Sequence, residues 1–115
     1  MWEVKFFELH SDRCPVDQFL STLNETTDLP YIDHMFSRLE KYGYKLRRPY
    51  AAPLRDKIYE LRVSTSQGNY RFLYFFDGKK IIITHGIKKK TRNVPNREIE
   101  KAIKYHNMYF ESDTK

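Results

Sequence analysis

Lys57-Ile58-Tyr59-Glu60-Leu61-Arg62-Val63-Ser64, then Asn69-Tyr70-Arg71-Phe72-Leu73-Tyr74-Phe75-Phe76-Asp77, then the run Lys79 to Ile87, read as three consecutive β-strands. Thr65-Ser66-Gln67-Gly68 joins the first two. Asp77-Gly78 joins the last two, a dipeptide that tolerates the positive φ of a tight hairpin. Successive side chains on a strand point to opposite faces. Tyr59, Leu61 and Val63 therefore share one face, and Ile58, Glu60, Arg62 and Ser64 the other. On the second strand Tyr70, Phe72, Tyr74 and Phe76 lie opposite Arg71, Leu73 and Phe75. A two-residue first loop, Ser66-Gln67 or Gln67-Gly68, puts Arg62 and Arg71 on one face, directly across or on the diagonal. Like charges so placed destabilise a sheet unless something negative sits between them. Spacing alone leaves two readings open: a bound anion, or pairing of each arginine with a carboxylate such as Glu60 or with solvent.

The chain has 115 residues, the size of one domain spanning 1–115. Hydrophobic residues make up 40% and aromatics 16%, which together with clear periodicity argues for a packed fold. Lys and Arg number 21 against 15 Asp and Glu, a net charge of +6. That excess favours a polyanionic partner, nucleic acid first. One cysteine, Cys14, excludes an intrachain disulfide, and four scattered histidines lack metal-ligand spacing. No cofactor or metal is expected. The first residues lack a charged region followed by an apolar core, and no run reaches membrane-spanning length, so a cytoplasmic location without membrane attachment is expected.

Trp2, Val4 and Phe6 alternate with Glu3 and Lys5, a half-buried strand over residues 2–9 expected to add to one edge of the three-stranded meander. Ser11-Asp12 offer capping chemistry before Pro15, and Val16, Phe19, Leu20 and Leu23 have helical spacing, ending in a polar break from Asn24 to Asp28. A second helix carries Pro30 in its first turn, Ile32, Met35, Phe36 and Leu39 on one face, and Gly43 as its C-terminal cap. Both helices are expected on the Tyr70, Phe72, Tyr74, Phe76 side. Residues 44–56 read as a basic, proline-punctuated connector with Arg47, Arg48 and Arg55, followed by Lys57. After the third strand come Lys88, Lys89, Lys90 and Arg92. A last helix begins around Asn93-Val94-Pro95 and docks through Ile99, Ala102, Ile103, His106 and Phe110. Tyr105 and Tyr109 lie elsewhere on that helix, free to reach the open face, and Arg97 also lies off the docking stripe. Solvated charges are the bland reading of each of these cations. Together they make a surface for positioning phosphates.

An unperturbed histidine titrates near neutrality, which invites a general-base role for His85, but alternation carries it with Ile81 and Ile83 onto the helix-covered face, where a buried structural histidine is the favoured reading over a catalytic one. The open face would then hold arginine, lysine and tyrosine. Such a set suits attack of a ribose 2′-hydroxyl on the adjacent phosphodiester. Arginine forks bind the phosphorane oxygens, a lysine crowded by other cations and partly neutral takes the 2′-hydroxyl proton, and a tyrosine or protonated lysine protonates the 5′ oxygen. A basic surface that binds without chemistry is the alternative.

Ile58-Tyr59-Glu60-Leu61-Arg62, Tyr70-Arg71-Phe72-Leu73-Tyr74-Phe75-Phe76, Thr84-His85-Gly86-Ile87-Lys88-Lys89-Lys90-Thr91 and Pro95-Asn96-Arg97-Glu98-Ile99, in that order, resemble the phage-derived Gp49-like, HigB-type branch of the RelE/ParE toxin superfamily. Cys14-Pro15-Val16-Asp17-Gln18-Phe19-Leu20 is similar as well. The resemblance implies an α+β, RelE-like fold in the order β-α-α-β-β-β-α, with a curved, mainly antiparallel four-stranded sheet. It implies the toxin of a type II toxin-antitoxin system, a metal-free messenger-RNA endonuclease acting on the ribosome. The implied partners are messenger RNA, the ribosome and a HigA-like helix-turn-helix antitoxin, with operator DNA reached only through the antitoxin complex. Position by position it implies catalytic roles for Arg62, Arg71, Lys89, Lys90 and Tyr105 (or Tyr109). RNA contacts would come from Arg47, Arg48, Arg55, Lys57, Lys88, Arg92 and Arg97. Val94 departs from the branch, where a threonine often caps the helix. ParE-like members, which bind DNA gyrase without nuclease chemistry, and a non-catalytic basic adaptor are the alternatives.

Overall fold

The computed structural model describes residues 1–9, 13–23 and 27–113. In chain order the elements are β1 (Glu3–Phe6), α1 (Pro15–Ser21), α2 (Asp28–Tyr42), β2 (Ala51–Arg55), β3 (Ile58–Thr65), β4 (Gly68–Asp77), β5 (Lys80–Lys88) and α3 (Asn96–Asp113). They form an α+β fold around one five-stranded mixed sheet of order β1-β5-β4-β3-β2. The expected meander is present, with Thr65 paired to Gly68 across the two-residue loop Ser66-Gln67. The Thr65 hydroxyl oxygen accepts the N–H groups of Gln67 and Gly68 at 3.1 and 3.2 Å, so the turn satisfies its own donors.

Two features depart from the expected four-stranded sheet, which stays mainly antiparallel, in three of its four pairings. First, β1 does join the meander's edge but runs parallel to β5, in the register Glu3↔Lys80 to Phe6↔Ile83. Second, Ala51–Arg55, inside the stretch read as a connector, is a fifth strand antiparallel to β3. Pro49 and Pro53 suggested a loop. Pro53 is tolerated because β2 is an edge strand, where a missing N–H need not break a ladder.

The sheet has a core on each face. On one side α1 and α2 press Val16, Ile32, Met35, Phe36 and Leu39 onto Leu61, Val63, Tyr70, Phe72, Tyr74, Ile81 and Ile83. This is the face expected for both helices. Leu39, Leu61, Val63, Phe72 and Ile81 have no exposed surface, and each such side chain contributes roughly 1.5–3 kcal/mol by burial. The polar break ends earlier than expected, because Asp28 already opens α2; Ser11-Asp12 and Asn24 to Thr26 lie outside the described residues. Buried Asp28 ties α2 to the hairpin by accepting from the Tyr70 hydroxyl, and from Thr65 at 3.1 Å. Gly43 closes α2 as read from the sequence, with φ +51° and ψ −120°. It does so under the Trp2 indole: a Cβ there would lie 2.1 Å from the ring.

On the other side α3 covers Ile58, Leu73, Phe75 and Ile82 with Ala102, Ile99, Ile103, Tyr105 and Phe110. The docking stripe is wider than its expected form and includes both tyrosines. Tyr105 stacks on Phe7 at 4.8 Å, and Tyr109 donates to Asp77 at 2.7 Å. α3 reaches only part of this face. The end bearing Arg62 and Arg71 stays outside its cover, as a cleft.

Candidate functional site

Register places Arg62 directly opposite Arg71 on neighbouring strands. What makes this tolerable is Glu60, two residues before Arg62 and on the same face. Arg62 donates through Nε and Nη2 to Glu60 Oε2 at 3.2 and 3.0 Å. Arg71 Nε lies 3.0 Å from Glu60 Oε1, an ion-pair contact without hydrogen-bond alignment. Arg71 Nη1 donates to the Tyr70 carbonyl at 3.0 Å. One carboxylate thus holds two guanidinium groups, the pairing that spacing had left open beside a bound anion. Glu60 is 5% and Arg71 8% exposed, so both are fixed by packing as well as charge. Among the described residues Arg62 Nη1 and Arg71 Nη2 have no partner, which leaves each arginine a nitrogen to offer an anion.

The same side chains line a cleft of about 420 Å³ together with Lys89, Arg92, Asn93, Val94, Leu54 and Ile99. Its charged lining is four cations to one carboxylate. The main chain after β5 brings Lys89 in, its N–H donating to the Asn69 carbonyl at 2.7 Å, and Nζ donates to the Arg92 carbonyl at 2.6 Å. Burial, and then the neighbouring Arg71, with smaller contributions from Arg62 and Arg92, pull the Lys89 pKa below the ordinary lysine value against the opposing pull of Glu60. Burial likewise lowers that of Arg71, with Glu60 opposing.

His85 is buried and hydrogen-bonded, as read, but on the opposite face from the one expected. The β4–β5 register runs Leu73↔His85 and then Tyr74↔Ile83, so Thr84 is an extra residue in β5. This bulge reverses the alternation downstream and hands His85 to α3. Its Nε2 lies 3.0 Å from Glu98 and its Nδ1 2.9 Å from the Thr84 hydroxyl. Opposite a carboxylate, which can only accept, Nε2 carries the proton. Desolvation, with Lys101 adding, pushes the His85 pKa down to about 4 against the pull of Glu98. The unfolded chain takes up this proton near pH 6.5 and the folded protein only near 4. Stability is therefore expected to fall as pH drops from 6.5 to 4, by roughly 2–3 kcal/mol. Urea unfolding across that range, compared with His85→Gln, checks it: the variant's slope should be shallower.

The other residues singled out in the sequence separate. Lys88, Lys90 and Arg97 line an adjoining groove on the far side of Lys89, and Arg97 Nε lies 3.6 Å from Glu98. Arg47 and Arg48 flank a cavity of about 460 Å³ at the β2 edge, with Tyr44, Pro53 and Tyr59. Arg55 is engaged by Asp56, Asn96 and Glu100, and Lys57 sits in the β2–β3 turn with φ +68°. Tyr105 is not brought to the arginines; its ring belongs to the α3 core. The residue that sequence reasoning undervalued is Glu60. Alternation alone placed it beside Arg62, and its buried double pairing is visible only once Arg71 is in register.

The family model described as phage-derived protein Gp49-like matches residues 18–106 of the chain. No curated protein matches it.

Proposed function

Because this chain belongs to the phage-derived Gp49-like protein family, which is associated with RelE- and HigB-like toxins, we propose that it is the toxin of a type II toxin-antitoxin pair and cleaves messenger RNA on the ribosome through the 2′-hydroxyl. The observation that carries this reading is the pair of opposed arginines held by one buried carboxylate beside a lysine of lowered pKa. A scissile phosphate seats on Arg62 Nη1 and Arg71 Nη2. Fixed cations there stabilise the charge that grows on the phosphorane oxygens. Lys89, in its unprotonated form, takes the proton of the 2′-hydroxyl. The 2′ oxygen bonds to phosphorus, the P–O5′ bond breaks, and the 5′ oxygen leaves with a proton from solvent. The products are a 2′,3′-cyclic phosphate and a 5′-hydroxyl end. Arg92 and the cations of the adjoining groove extend the phosphate track, and a HigA-like antitoxin silences the site.

Induced expression with mapping of cellular RNA 5′ ends tests this. Arrest with new 5′-hydroxyl ends inside translated messages is expected. Arrest with intact RNA and damaged DNA would replace the reading with a gyrase-binding toxin, and a soluble product without arrest would replace it with a basic adaptor.

A base acts only when neutral, so the cleavage rate is expected to rise with pH until Lys89 has lost its proton. Lys89→Met should lower single-turnover cleavage by about 10²–10⁴-fold and flatten that rise. An unchanged pH profile in the variant would remove Lys89 from the role.

A further inference from the structure

The arginine pair is shared by a second cleft. Without Lys89 in its lining, about 330 Å³ of space is bounded by Tyr31, Pro49, Tyr50, Arg62, Ser64 and Arg71. Its rims are tyrosines from unrelated parts of the chain, Tyr31 from the first turns of α2 and Tyr50 from the approach to β2. They are 40% and 37% exposed, in a protein that buries most of its large apolar side chains.

Both rings are braced. The Tyr50 main chain is fixed on either side: its N–H donates to the Arg47 carbonyl at 2.9 Å, and its carbonyl accepts the Arg62 N–H at 2.7 Å. The Arg38 guanidinium lies 4.4 Å from the centre of the Tyr50 ring, covering one face. Arg38 Nε is shut away from solvent there without a hydrogen-bond partner among the described residues. Tyr31 is stacked on His34, with the ring centres 6.1 Å apart and 28° between the planes. Exposed rings with little freedom to lose suit a flat ligand. Among the described residues no carboxylate lines this cleft, and a phosphate held by Arg62 and Arg71 would sit at its floor.

We propose that Tyr31 and Tyr50 form a nucleobase-stacking subsite, which holds the base of a nucleotide whose phosphate rests on Arg62 and Arg71. The proposal relies on the reading above only in taking single-stranded RNA as the ligand; it requires no cleavage. Stacking accepts any base, so the subsite sets the position of the strand and not its sequence. It also orients the strand, with the base toward the tyrosines and the ribose of the scissile linkage toward Lys89.

The test uses the full-length chain and fluorescent six-nucleotide RNAs carrying 2′-O-methyl groups, which cannot be cut. Anisotropy gives the affinity. Tyr50→Leu and Tyr31→Leu are each expected to weaken binding about five- to a hundredfold, the range found for loss of one stacked base, while Tyr50→Phe and Tyr31→Phe stay within about threefold. Moving a single abasic residue along the RNA should weaken wild-type binding at one position and leave Tyr50→Leu indifferent there. That scan on the wild type stands even where a leucine variant fails to fold. Equal affinity of wild type and leucine variants, an abasic scan without a sensitive position, or no RNA binding at all would overturn the subsite. So would unchanged RNA affinity with lost binding of a partner protein. The two proposals fail separately. A sensitive abasic position without cleavage of cellular messages would sink the nuclease and keep the subsite, and cleavage with no dependence on either tyrosine would do the reverse.

Discussion

Arg62→Ala combined with Arg71→Ala is expected to reduce RNA cleavage by about 10³-fold or more. Each arginine offers one uncommitted nitrogen toward the same phosphate, and removing one fixed donor to a developing oxyanion typically costs 10²–10³ in rate. The two act on one group, so the losses should not multiply. The substitution also strands Glu60, 5% exposed and then without either cation, and a buried carboxylate left unpaired destabilises by a few kcal/mol. The informative set therefore includes Glu60→Gln with both alanines, which restores folding without restoring charge. Arg62→Lys with Arg71→Lys keeps the charge and discards the fork. Measured by single-turnover cleavage alongside urea unfolding, the lysine pair should stay folded yet lose most activity. Near wild-type cleavage by the lysine pair would mean that bulk positive charge is enough, and the directed geometry would be irrelevant.

Gly43→Ala is expected to be the most damaging single methyl in the chain. Its Cβ would stand 2.1 Å from Trp2 Cε2 and Nε1, at a φ of +51° that side chains avoid. The glycine's own backbone cannot give way without opening the end of α2, whose Leu39 carbonyl accepts the Gly43 N–H. The indole must move instead. It would leave edge contacts with Tyr44 at 4.8 Å and Phe76 at 5.4 Å, and Lys79 at 4.4 Å over its ring. Overpacking and positive-φ strain together suggest about 3 kcal/mol or more, a fall in Tm on the order of 10 °C. Calorimetry on a double-mutant cycle with Trp2→Ala separates the contributions. In the Trp2→Ala background the alanine should cost only about 1–2 kcal/mol, the strain alone. Additive losses would show that Trp2 does not pack on Gly43 in solution.

The meander was legible because its two turns are short and its faces differ sharply. Thr65 to Gly68 put Arg62 and Arg71 on one face, directly across or on the diagonal, and pairing of Thr65 with Gly68 makes them directly opposed. Helical spacing likewise located the buried faces of α1 and α2, and Gly43 marked the end of α2. Three things were not legible. The bulge at Thr84 leaves no compositional trace, since Thr84 reads like any strand residue, and it moved His85 to the other face. Pro53 reads as a breaker until it is known to lie at a sheet edge. Tyr105 and Tyr109 sit at spacings equally compatible with either side of α3, and only the docked helix shows them turned into its core. The site followed the same rule. Alternation put the strand arginines on one face, but the run Lys88 to Lys90 did not show which lysine enters the cleft, and the sharing of Glu60 between two partners depends on contacts across strands.

The parallel pairing of β1 with β5 fixes an order of events during synthesis. Glu3 to Phe6 are made well before their partners, Lys80 to Ile83. Until that stretch exists, Trp2, Val4 and Phe6 have no strand to lie against, and the core formed by α1 and α2 lacks one edge. Pairings so distant in the chain close late and slowly, because the intervening loop must first surrender its freedom. Lys89 and the lining residues Arg92, Asn93, Val94 and Ile99 come later still. The cleft is therefore completed only after the sheet strands have been made, and a chain interrupted before residue 89 carries the arginines without the lysine beside them.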